Sequence, residues 1–353
     1  MERGAVIMEL DARKMRILQA IIDDYILTAS PVGSRTIAKC TDIGLSSATI
    51  RNEMSDLEEM GYLEQPHTSA GRVPSDKAYR LYVDSIMRQA RLTEDEMRYI
   101  GEHYSRRLSE VDDVVRQTAY VLSSVTRYTS MVLSPRIHGA KLRYIHLVAL
   151  GDGKALVLMV TDSGLTRDSL IRLPHGIGQQ ELDKLSRVLN ARLANHRLDD
   201  VLGANLMDLA GELAEQKQFL DSLIHSMHKS VEQNARRVEL SGTTNILSYP
   251  EYSDMDRARN LLSAIEQKDL LFDVLTRAQD VEFTIRIGHE NEKESIQDCS
   301  VVTATYKIGR EPIGSFGVIG PTRMDYAKVL AVMSQIGRSL SDALTNMFDE
   351  EQR

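Results

Sequence analysis

Cysteine, long apolar runs and positive charge are all in short supply in this chain, and each shortage removes a class of protein. Only Cys40 and Cys299 occur among 353 residues, so neither a disulfide framework nor a thiolate metal site is indicated. No stretch approaches the ~20 apolar residues that cross a bilayer. The nearest, His146 to Val160, is broken by Gly151-Asp152-Gly153, which reads better as a hairpin turn. The opening residues MERGAVIMELDARK lack the apolar core and small-residue cleavage site of a signal peptide. The expectation is a cytoplasmic protein without membrane contact. A phosphate-binding loop, a nucleophile elbow and a dinucleotide fingerprint are also missing, so neither an enzyme nor a cofactor is expected. The chain has no internal repeat and no low-complexity tract.

The formal net charge is −8. Even residues 1–90 carry eleven Lys/Arg against thirteen Asp/Glu. A nucleic-acid surface would therefore have to come from cations and polar groups gathered on one face. What is present is an ordinary globular composition, 42% hydrophobic and 27% charged, at a length that suggests two or three domains.

The pattern predicts an α-rich first third. A helix over Asp11 to Ile26 places Met15, Leu18, Ile22 and Tyr25 on one face, and Pro31 stops the segment after it. A short helix opens at Gly33-Ser34 with Ser34 as its N-cap, and a turn at Gly44 leads to a second helix capped by Ser46 or Ser47 and running to about Met60. Tyr62 to Gln65 and Arg72 to Pro74 read as paired strands around a polar turn, and Ser75-Asp76 caps a further helix through Tyr79 and Tyr82. Helix, helix, turn, helix, hairpin is the order of a winged helix-turn-helix. A charged helical connector is predicted over Thr93 to Val125. Strands follow at Tyr144–Leu150, Ala155–Thr161 and Leu165–Leu173, then helices over Glu181–Leu193 and Val201–Val238. Strands at Val281–Ile287, Ser300–Ile308 and Ile313–Ile319 precede a closing helix from Tyr326 to Met347.

The helix opening at Ser46-Ser47 carries the functional signal. At about 100° per residue, Ile50, Met54 and Leu57 share a buried face, Ala48, Asn52 and Ser55 point away, and Thr49 and Arg51 flank them. Short residues let a backbone approach a major groove, Asn can pair bidentately with adenine, and Arg with guanine. Glu53, Asp56, Glu58 and Glu59 would be repelled by phosphate, so only the first two turns should enter the groove. In the hairpin, His67, Thr68, Ser69, Gly71 and Arg72 include no acid, and with Ser34, Arg35, Lys77 and Arg80 they are candidate contacts to the DNA backbone. A solvated helix with no partner is the plain alternative for the helix alone, and a simple turn for the hairpin. Their combination favours DNA.

Three segments carry a resemblance: Ser34-Arg35-Thr36-Ile37-Ala38, Ser46 to Glu58, and Ser69 to Arg80. They closely resemble the heat-inducible transcription repressors of the HrcA family. Ser241 to Leu247, Ile287-Gly288-His289-Glu290-Asn291 and Gly317 to Tyr326 look like further signatures of that family in the same order, while Met1 to Met8 looks like a variable extension. The resemblance implies an α+β multidomain protein: a winged helix-turn-helix plus a GAF-like α/β domain carrying an inserted dimerisation domain. It also implies a homodimer on an inverted-repeat operator of CIRCE type upstream of chaperone operons, with a chaperonin keeping the repressor active until heat shock diverts it.

On this reading residues 1–90 are the DNA-binding domain, 91–130 the connector, 131–200 and 291–353 the GAF-like domain, and 201–290 the inserted domain. The strands at 144–173 are too few for their own sheet, and those after Ser300 are expected to complete it. The apolar stripe Phe219, Leu220, Leu223, Ile224 and Met227 is a candidate dimer surface, with an internal core helix as an equal alternative. Two rival functions remain. His225, His228 and Glu232 could form a helical metal site in an enzyme, although such a trio more often flanks a core stripe. A regulator gated by a metabolite in the GAF-like domain is the second rival, resting on fold analogy alone.

Overall fold

The computed structural model describes residues 10–39, 43–68, 70–88, 90–105, 110–135, 141–162, 166–203, 217–277, 282–309 and 311–351. Cys40, Ser69, Val281, the extension Met1 to Met8 and residues 106–109 and 204–216 of the expected helices lie outside them.

The first unit is the expected head. Helix α1 (Ala12–Thr28) is capped by Asp11, whose carboxylate accepts from Lys14 N at 2.8 Å. Helix α2 (Ser34–Lys39) starts one residue earlier than its expected cap implies: the Gly33 carbonyl, not the Ser34 side chain, takes the first helical hydrogen bonds. Helix α3 is Ser47–Glu59, and strands β1 (Leu63–Glu64) and β2 (Val73–Pro74) form the wing. Val32 adds a third, unforeseen rung, because it exchanges backbone hydrogen bonds with Arg72 at 2.8 and 2.9 Å. Gly71 explains how the two backbones come so close, since a Cβ there would stand 2.5 Å from the Val32 carbonyl. Helix α4 (Asp76–Leu81) closes the head and runs into a π-type turn over Tyr82–Ile86.

The connector is not a spacer. Its two helices are α5 (Glu94–Ser105) and α6 (Val111–Thr126), and Val114, Val115, Ala119, Val121 and Leu122 of α6 are buried. They pack beneath a five-stranded antiparallel sheet ordered β7-β3-β10-β9-β8. Its strands are β3 (Thr129–Leu133), β7 (Val238–Ser241), β8 (Phe283–Ile287), β9 (Cys299–Ile308) and β10 (Glu311–Pro321). Helix α12 (Tyr326–Glu351) shares the α6 face, and α10 (Met255–Glu266) with α11 (Lys268–Thr276) covers the other. One continuous apolar core runs from Leu10 in α1's approach through Tyr79 and Tyr82 to Tyr326 and Leu344. The head therefore shares a core with the rest of the chain.

Between β3 and β7, which are neighbours in the sheet, the chain makes a separate module. Strands β4 (Leu142–Gly151), β5 (Lys154–Thr161) and β6 (Thr166–Arg172) form their own three-stranded sheet, packed against α7 (Gln179–Leu193), α8 (Leu198–Gly203) and α9 (Lys217–Ala235). This corrects two expectations. The strands after Ser300 do not complete the β4–β6 sheet, and the segment lying between two adjacent strands of the larger sheet is roughly 141–235, not 201–290. Three strands suffice because helices supply the rest of the core. The Asp152-Gly153 turn of the β4–β5 hairpin has positive φ at both residues, as the tight two-residue connection requires.

The edges of the smaller sheet are covered. Ile145 N donates to Asn190 Oδ1 at 2.7 Å, Ala149 N to Gln179 Oε1 at 2.7 Å and Leu147 N to Ser186 Oγ at 3.1 Å, so side chains of α7 stand where another strand would. On the far edge Ser230 Oγ donates to Asp168 O at 2.8 Å. The stripe on α9 packs inward: Phe219, Leu220, Leu223 and Met227 are buried and Ile224 is half-buried. These residues are part of the module's core, as the internal-helix alternative for the stripe expected. The opposite face of the sheet is the open one. Tyr144 and Leu170 are exposed there, with Val148, Leu156, Leu158 and Val160 half-buried beside them.

Candidate nucleic-acid interface

Helix α3 forms where its sequence favours one. Ser46 is extended, and its hydroxyl accepts from Thr49 N at 3.2 Å, satisfying one of the unpaired first-turn donors. Ile50, Met54 and Leu57 lie on the inward face and are buried against α1 and α2. Burying each of these side chains contributes about 1.5–3 kcal/mol. Locking that stripe inward fixes the other: Ala48, Arg51, Asn52 and Ser55 are exposed, and Ser47 and Thr49 are half-buried beside them. Arg35 is exposed on α2 and Ser34 is half-buried. His67 and Thr68 are exposed at the wing tip, which Gln65 holds by donating to Thr68 O at 3.0 Å and Ala70 O at 3.2 Å.

Three acids of α3, Glu53, Asp56 and Glu58, have cationic neighbours, while Glu59 is exposed at its end. Lys14 Nζ lies 2.7 Å from Glu53 and 2.9 Å from Asp56, with Arg13 3.4 Å from Glu53. Hydrogen bonds donated to Glu53 and then to Asp56 hold the Lys14 ammonium above its ordinary range. These partners were not foreseen, since the pairing joins residues 39 apart in sequence.

Three of the expected phosphate contacts, Arg72, Lys77 and Arg80, have partners within the protein. Arg72 Nε donates to Glu58 Oε2 at 2.8 Å, tying the wing to α3. Lys77 Nζ donates to the Met60 carbonyl at 2.9 Å and sits 4.3 Å above the Tyr62 ring, so it finishes the C-terminal end of α3. Arg80 turns away from the wing altogether. It donates to Glu290 Oε1 and to Ile285 O, both at 2.7 Å. Gly71 serves the close passage beside Val32 described above. What the structure brings together on one outward surface is Arg51, Asn52 and Ser55, with Thr49 at their margin.

The helical trio considered for a metal does not assemble one. His228 Nδ1 lies 3.4 Å from Glu232, and among the described residues no group of three potential ligands is placed to hold an ion. No helix of the described residues is long and apolar enough to cross a membrane.

Comparison with known proteins agrees with this architecture. Residues 9–86 match the winged helix-turn-helix transcription repressor, HrcA DNA-binding domain, and residues 112–330 match the HrcA protein C terminal domain. A heat-inducible transcription repressor HrcA of Brevibacillus brevis is 43% identical over 97% of this chain and 100% of its own length. The same-named protein of Desulforamulus reducens is 43% identical over 96% of this chain and 98% of its own length. A crystal structure of a hypothetical protein, 25% identical, superposes with a TM-score of 0.66 and covers 96% of this chain and 100% of that one.

Proposed function

The chain belongs to the HrcA family of heat-inducible transcription repressors, and we propose that it binds an inverted-repeat operator as a twofold dimer, one α3 in each major groove. The observation that carries this reading is the exposed face of α3. Arg51, Asn52 and Ser55 stand over a buried Ile50–Met54–Leu57 stripe, and three of the four acids that would oppose phosphate, Glu53, Asp56 and Glu58, already face cations. Asn52 and Arg51 read base edges, while Ser46, Ser47, Thr49, Arg35 and Thr68 contact the backbone. Because one recognition helix covers only a few base pairs, two are needed. Selection of bound sequences from random DNA should yield a palindrome. Enrichment of no motif, or of a single asymmetric half, would overturn the reading.

The dimer forms through the open apolar face of the β4–β5–β6 sheet, whose edges are closed to strand addition. We read this module as the dimerising insertion and residues 129–135 with 238–351 as the GAF-like domain that carries it. Leu170→Asp should then leave a monomer by light scattering, and a dimer unchanged by this substitution would exclude the face. Chaperonin keeps the repressor active and its targets are chaperone operons, as the family resemblance implies. In an unpaired chain the same apolar face is the kind of surface a chaperonin retains.

A second reading is favoured by one feature, a cleft of about 830 Å³ between the head and the larger domain, lined by Val83, Met87, Arg91, Phe283, Leu330 and Arg338. A small effector there would gate the head. A metabolite that raises the melting temperature and alters operator affinity without chaperonin would support this reading; a shift produced by chaperonin alone would reject it.

A further inference from the structure

The signature Ile287-Gly288-His289-Glu290-Asn291 touches no part of the α3 face, yet it is built with care. Asn291 is buried and its amide donates to Gly288 O, Ile296 O and Cys299 O at 2.9–3.2 Å, which fixes the turn. Ile287 N donates to Glu290 Oε2 at 2.9 Å, which aims that carboxylate. The turn meets the N-terminal half of α4. Asp76 accepts from His289 N at 2.9 Å and from His289 Nδ1 at 2.8 Å, and Arg80 forks onto Glu290 while also donating to Ile285 O. The Asp76 carboxylate lies directly over Gly288, whose φ is +52°, so a methyl group there would overlap it.

The other side of α4 is fixed to the recognition helix. Ser75 Oγ donates to Gly61 O at 2.7 Å, and Lys77 Nζ donates to Met60 O, both at the end of α3. An unbroken run of polar contacts therefore leads from α3 through α4 to β8, alongside the shared apolar core.

We propose that Asp76, Arg80, Gly288 and Glu290 determine the operator spacing that the repressor accepts, by fixing the angle of α3 to the larger sheet domain that carries the dimerising module. This rests on the dimeric DNA reading above. Each added base pair moves the second half-site by about 3.4 Å and turns it by roughly 35°. A head held by these polar contacts as well as by the shared apolar core cannot follow both changes; one held by the core alone has more freedom to turn.

The test uses the full-length protein and the operator obtained by selection, with the central spacer lengthened or shortened by one to three base pairs. Wild type should lose about tenfold in affinity at the first step, the equivalent of losing one good base contact. Gly288→Ala and Glu290→Gln should bind the altered spacers within roughly threefold of the original, while affinity for a single half-site stays at the wild-type value. A spacer profile identical to wild type in both variants would overturn the proposal. A loss of half-site affinity equal to the loss on the whole operator would also overturn it, by showing damage to the reading head itself. Absence of any inverted repeat for wild type would instead refute the DNA reading. In that case a second readout decides the anchor: spin labels at Ser55→Cys and Lys307→Cys, in a Cys40→Ser background without DNA, should give one narrow distance in the parent and a broadened one with Gly288→Ala. Equal widths would refute it.

Discussion

The two sides of the head use the same residue types for opposite ends. On the outward side, Arg51 and Asn52 are exposed on α3 and reach into solvent. On the inward side, Arg72, Lys77 and Arg80 are occupied by Glu58, the Met60 carbonyl and Glu290. A cation held by a carboxylate or a carbonyl braces a fold, whereas Arg51, exposed beside Asn52, is available for a ligand. The slightly acidic sum of the head is compatible with DNA binding for this reason: many of its acids are balanced inside the head.

The comparison breaks most visibly if the inward stripe fails. Ile50→Ala should cost about 2–5 kcal/mol of stability by leaving a cavity under α3, read as a lower urea midpoint with unchanged slope. Loss of operator binding should follow only because the head unfolds. Arg51→Ala should leave the melting temperature alone and weaken operator binding by about 1–3 kcal/mol. A change in stability without a change in binding would move Arg51 to the bracing set.

Arg72→Gln sharpens the contrast in the other direction. It should cost up to about 1 kcal/mol of stability, the scale of a partly exposed ion pair, and leave the salt dependence of DNA binding as it was. A flatter salt slope would show that Arg72 contacts phosphate after all.

The smallest effect concerns His289, whose hydrogen bond to the Asp76 carboxylate raises it above its ordinary value, with Asp298 and Glu64 acting in the same sense. A raised histidine contributes fully below its unfolded value of 6.5 and loses that contribution as pH rises through its folded value. The imidazole is largely exposed, so solvent screening holds the effect below about 1 kcal/mol. The stability difference between wild type and His289→Asn should therefore shrink from pH 6 to pH 9, and a difference that grows would contradict the pairing.

Much of the head was legible because its signals are local. Helical spacing placed Ile50, Met54 and Leu57 inward, Ser46 capped the helix, and Asp152-Gly153 announced its turn. The strands β3 and β7 were not legible. Each is short, β3 is buried along its whole length without alternation, and their pairing joins residues 111 apart at Ser130 and Ser241. Missing them misplaced the insertion, since their adjacency is what marks where the smaller module begins and ends. The stripe on α9 was visible as a stripe, but periodicity states that a face is apolar and not what covers it. The partners of Arg72, Lys77 and Arg80 were illegible for a similar reason: sequence supplies the cation, and only the fold supplies its partner.

The central claim is that the outward face of α3 reads bases, and Asn52→Ala tests it most directly. Its affinity for the operator and for scrambled DNA should be titrated at several salt concentrations. The account predicts a loss of about 1–3 kcal/mol on the operator, none on scrambled DNA, and an unchanged salt slope on both. Equal weakening on the two DNAs, or no weakening on either, would contradict it.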